Sequence, residues 1–146
     1  MRIDPRGYSA SVGTPGARCS LLACAVVLLV GCGSTERPDD VEAVAERFGA
    51  ALEREDGAAA CAEVRETTAS QLEQEQREPC EEAILRLELP ARSSAARSSV
   101  YVTNASVLLV EGSTTFLDEG SDGWKVTAAG CRPTAPELPY DCELED

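Results

Sequence analysis

The chain has no histidine among its 146 residues and only one lysine, Lys125. Without an imidazole there is no general base for Ser-His or Cys-His nucleophilic catalysis. The commonest transition-metal ligand is missing as well. Carboxylates, Cys and Tyr are left as the groups able to do chemistry. Basic residues of any kind are scarce: 13 Lys and Arg face 26 Asp and Glu, for a net charge of −13. A chain so acidic will not bind nucleic acid by neutralising phosphates. The acidity reads first as solubility and surface repulsion, with a site for a cation or a basic partner as the alternative. The seven cysteines do not follow CxxC-type zinc spacing, so no metal and no other cofactor is implied.

What is present begins with an address. Arg2, Arg6 and Arg18 precede an unbroken apolar run at 21–30, LLACAVVLLV. That run is too short to cross the roughly 30 Å hydrocarbon core as a helix, but it suits the h-region of a signal peptide. Leu29-Val30-Gly31-Cys32 follows the pattern of a bacterial lipobox. Small residues let the backbone enter the signal-peptidase groove, and the thiol of Cys32 is the nucleophile that accepts the diacylglycerol. The expected processing removes residues 1–31 by cleavage between Gly31 and Cys32. Residues 32–38 then form a lipidated cysteine and polar tether, and 39–146 form a single domain. Loss of Arg2, Arg6, Arg18 and Asp4 shifts the net charge from −13 to −15. Anionic head groups should repel such a domain, so the acyl chains at Cys32 must supply the membrane attachment. The expected location is the outer face of the cytoplasmic membrane.

Cys19 and Cys24 leave with the signal and Cys32 is lipidated, which leaves Cys61, Cys80, Cys131 and Cys142. An even number outside the membrane suggests disulfides, and four cysteines allow three connectivities. Sequential pairing, Cys61–Cys80 and Cys131–Cys142, is favoured. Cys131 and Cys142 flank a stretch with Pro133, Pro136 and Pro139. Such a stretch cannot build a regular hydrogen-bond ladder, so a covalent clip is a sensible way to hold it.

Along the expected domain, helical periodicity comes first. Asp39 and Glu42 form a capping-box pattern, followed by Val41, Val44, Ala45, Phe48, Ala51 and Leu52 at helical spacing. Asp56-Gly57 is read as the end of this helix. A second, Ala-rich helix is expected at 58–64. Residues 65–78 are polar and are read as a loop with about one helical turn. Pro79 suits a helix N1 position and opens a third helix that stops at Pro90. Residues 91–96 read as a linker. Strands are then expected at 99–104, 106–110, 113–118 and 124–129, separated by Gly-containing turns at 111–112 and 120–123. Helices first and strands afterwards argue for α+β: about three helices packed on a curved antiparallel sheet of about four strands.

The order of features, with Phe116-Leu117, GWKVTAAGC at 123–131 and Pro139-Tyr140-Asp141-Cys142, resembles small actinobacterial lipoproteins. Their outer domain is related to the nuclear-transport-factor-like, or SnoaL-like, cone. A cysteine in the second helix and one opening the third also fit. The resemblance implies a curved sheet closed by helices, often around a pocket. Some members of that superfamily are isomerases, cyclases or dehydratases that use Asp, Tyr and His there. This chain lacks the His and has only three Tyr.

Two aromatic residues stand out as candidates for a pocket or its rim. Trp124 reads as a core or rim aromatic, or else as a stacking platform for a sugar or peptide. Tyr101 reads as a half-buried strand residue, or as one pointing into a pocket. Asp118 and Glu119 read as solvated carboxylates beside a turn, with an acid-base pair as the sharper alternative. The leading expectation is a non-catalytic, lipid-anchored binding or interaction domain with a cell-envelope protein partner. Behind it come a carrier or sensor of a small apolar ligand held in the cone, and then an enzyme using carboxylates or Tyr101.

Overall fold

Burial alternates along the second strand of the sheet, and its buried residues Ala105, Val107 and Leu109 join the core shared with the helices. The computed structural model describes residues 38–136 and 138–145. The signal segment, Gly31, Cys32 and the tether up to residue 37 lie outside them. Among the described residues the order is α1 (Pro38–Glu53), α2 (Gly57–Glu63), α3 (Glu66–Gln76), α4 (Cys80–Ala83) and a 3₁₀ turn (Ile84–Arg86). The strands follow: β1 (Ala95–Tyr101), β2 (Asn104–Leu109), β3 (Thr114–Gly120), β4 (Gly123–Pro133) and β5 (Tyr140–Asp141). They form one antiparallel sheet in the order β1-β2-β3-β4-β5. The fold is α+β, with a fourth helix and a fifth strand beyond the expected numbers.

α1 lies against β1, β2 and β4. It buries Val41, Val44, Phe48 and Leu52, residues at helical spacing on one face. From the sheet, Ala105, Val107, Leu117, Trp124 and Val126 meet them, and Ile84 closes the middle. Burying each large apolar side chain contributes roughly 1.5–3 kcal/mol. Leu144, near the end of the chain, is also buried and bridges to Ala129.

Several local expectations are corrected. α1 already includes Pro38, so Asp39 and Asp40 occupy its first turn. The Glu42 carboxylate accepts a hydrogen bond from Ser98 Oγ on β1. The turn after α1 puts Glu55 in the left-handed region. Asp56 caps α2 instead, its carboxylate accepting from Ala59 N at 3.0 Å, and Gly57 is the first residue of that helix. Pro79 is the N-cap residue of α4, not its N1. The stretch read as loop at 65–78 holds an eleven-residue helix. Only Thr68 and Leu72 of α3 are buried, which leaves a single narrow i,i+4 stripe. Its Gln, Glu and Ala are good helix formers in themselves, and a left-handed Arg77 ends it. The linker at 91–96 contributes its last two residues to β1. The Pro-rich stretch also forms a short ladder, Arg132 pairing with Asp141 and Pro133 with Tyr140.

Candidate functional site

The sheet face opposite the one that buries Ala105, Val107, Leu117 and Val126 carries a polar row. Register aligns Tyr101 with Asn104, Asn104 with Asp118, and Asp118 with Lys125. Asn104 Nδ2 donates to Asp118 Oδ1. Arg65 reaches the other oxygen at 3.3 Å. Arg65 arrives there because Val64 pairs in parallel with Val126 along β4, and Arg65 N donates to Val126 O at 2.8 Å. Lys125 Nζ donates to the Ala62 carbonyl at 2.6 Å, at the C-terminal end of α2, where a cation is favoured. Both Asp118 oxygens therefore have protein partners. This carboxylate fastens the α2–α3 junction to the sheet.

Beside this row an open cleft of about 440 Å³ lies between Cys61, Val64, Arg65 and the β3–β4 turn at Ser121 and Asp122. Arg65 Nε is buried with no protein acceptor. Cations and carboxylates mix along the cleft, and it presents no field of one sign. Next to the polar row, Phe116 and Tyr140 meet edge to face, ring centroids 5.1 Å apart.

Cys61 is bonded to Cys80, and Cys131 to Cys142. The first bridge ties α2 to the start of α4. Glu73 supports the same place by accepting from Cys80 N at 3.1 Å. The second bridge closes the β4–β5 hairpin. Trp124 is 8% exposed and belongs to the core. Tyr101 is neither half-buried nor in a pocket: it is 80% exposed, at the end of β1. Neither aromatic lines the cleft. Asp118 and Glu119 cannot form a pair, because neighbouring residues of a strand point to opposite faces. Among the described residues no helix is long and apolar enough to cross a membrane.

Sequence reasoning passed over the β1–β2 turn. Tyr101 and Asn104 are paired in register, so the turn has two residues, Val102 and Thr103. Two-residue hairpin turns need a positive φ at their first central position and favour Gly or Asn there. Here the position is Val102, with φ +56° and 69% of its surface exposed. The left-handed region costs an L-residue roughly 1–2 kcal/mol, and for a β-branched side chain it is a true outlier. The missed signal was a Val-Thr pair between β-rich segments with no Gly to mark the turn. No family model, curated protein or solved structure matches the chain.

Proposed function

We propose that the chain is a lipid-anchored extracytoplasmic protein, tethered by Cys32 to the outer face of the cytoplasmic membrane, whose folded domain is a non-catalytic binding or interaction module. The observation that carries this reading is the pairing of all four cysteines beyond Cys32, which suits an oxidising compartment. The lipobox at 29–32 supplies the address. A nuclear-transport-factor-like cone of the kind found in small actinobacterial lipoproteins belongs to the same reading. The succession of helices followed by an antiparallel meander supports it. Val41, Ile84, Leu117 and Val126 are all 0% exposed and occupy the space between helices and sheet. That favours binding on the outside of the domain over binding in its interior.

The test is expression of the full chain in a bacterial host, with mass spectrometry of the membrane fraction. The expected product begins at Cys32, carries acyl chains and has no free thiol. Cys32→Ala should lose the acyl mass and leave the membrane. Unprocessed protein in the cytosol with reactive thiols would overturn the reading.

A further inference from the structure

We propose that the β1–β2 hairpin tip, Tyr101 and Val102, docks on the surface of the bilayer that holds the lipid anchor. This inference rests on the anchored reading above. Three observations lead to it.

The tip turns two large side chains, one aromatic and one aliphatic, to solvent. Tyr101 is 80% and Val102 69% exposed. Val102 also occupies a backbone conformation that glycine would adopt freely. On this proposal the exposed Val102 side chain is held there for a contact outside the domain. The segment 100–104, Val-Tyr-Val-Thr-Asn, carries no charge in a chain with 27% charged residues.

The tip also lies at the anchored end. Arg92 N donates to Gly49 O at 3.1 Å, and Arg92 pairs with Glu53 at 2.9 Å, near the C-terminal end of α1. Ser98 donates to Glu42, near the start of that helix. α1 and β1 thus run in opposite directions, and the end of β1 points the same way as Pro38. The six residue steps from Cys32 to Pro38 span at most roughly 20 Å. A bilayer that holds a lipidated Cys32 would then be within reach of the domain end that carries Pro38.

The chemistry fits a headgroup boundary. Tyr is amphipathic and suits that depth, and the anchor makes even a weak contact effectively intramolecular. Asp39 and Asp40 in the first turn of α1, and Asp118 opposite Asn104, are the charged groups at this end, and on this proposal they stay in water. Uncharged head groups are the preferred surface, since the acidic domain is repelled by anionic ones.

The test uses the full lipoprotein, processed in cells and reconstituted into phosphatidylcholine vesicles with bromine on the upper acyl carbons. Tyr101→Trp adds a fluorophore at the tip. Val110→Trp, at the other end of the sheet, is the control, and the parent with its buried Trp124 gives the baseline. The emission added at position 101 should fall by roughly half, as befits a side chain at the headgroup–acyl boundary, while that at 110 stays unchanged. Adding Val102→Gly should reduce the quenching and raise the melting temperature together. Protein that floats with the vesicles but shows equal quenching at 101 and 110 overturns the docking and leaves the anchor standing. Shielding of position 101 from iodide in cells without bromine quenching points to a protein cover and also overturns it. Protein that fails to float sinks the anchor and the docking with it.

Discussion

A Cβ placed on Gly57 would lie 1.9 Å from the carbonyl oxygen of Glu81. α2 therefore meets the α4 backbone at a distance only glycine allows, and this approach brings Cys61 beside Cys80. Gly57→Ala must push the two helices apart. It should destabilise the domain by about 1–3 kcal/mol or more, as overpacking of a close contact does. Urea denaturation measures the loss. An unchanged midpoint would mean that the helices part freely.

The two disulfides close sequence separations of 19 and 11 residues. Replacing either pair with serines should cost roughly 3 kcal/mol on the chain-entropy model. The parent should show no reactive thiol in denaturant before reduction. Peptide mapping under oxidising conditions should recover Cys61 with Cys80 and Cys131 with Cys142.

Val102→Gly should stabilise the domain by about 1 kcal/mol, because it relieves a left-handed valine. The gain will be reduced by the greater freedom of glycine in the unfolded chain. Thermal melting of the parent and the variant side by side is the measurement. A lower melting temperature would show that Val102 is supported from within the domain.

Trp124 and Tyr101 should respond in opposite ways. Trp124→Ala opens the core beneath the helices and should cost roughly 3–5 kcal/mol. Tyr101→Ser removes a side chain that stands in solvent and should change stability by no more than about 0.5 kcal/mol. Chemical denaturation of each variant separates a core residue from a displayed one.

Arg47 donates to both carboxylate oxygens of Glu63, at 2.9 and 3.1 Å, joining α1 to α2. The side-chain hydrogen bond to Glu63 raises the guanidinium pKa above its ordinary value. A raised pKa adds stability that is present below the unfolded value and lost only as pH rises through the folded one. Arg47→Ala should therefore cost the same small amount, about 0.5 kcal/mol for a half-exposed pair, at about pH 6 and about pH 9. A cost that changed between those pH values would assign the effect to another group.

Much of the domain was legible because it depends on local rules. The stripe from Val41 to Leu52 gave α1. Glycines at 112, 120 and 123 marked two of the turns. The change from helical to alternating periodicity gave the α+β order. α3 escaped because tertiary contact needs only Thr68 and Leu72 from it, too few to leave a periodic signal. The polar row escaped for another reason. Arg65 and Asp118 lie 53 positions apart in the sequence and meet only because Val64 pairs along the edge of β4.

By itself, the sequence determined which side chains are on hand and the order of helices before strands. The lack of histidine, the large acidic excess and the cysteines at 61, 80, 131 and 142 are properties of composition and spacing, and they hold whatever the fold. The tertiary structure alone decided what each aromatic does. Tyr101 and Trp124 both sit at strand ends beside turns, and no local rule separates them. Helix packing on one face of the sheet buries Trp124, while Tyr101 at the end of β1 and Val102 in the turn after it stay exposed.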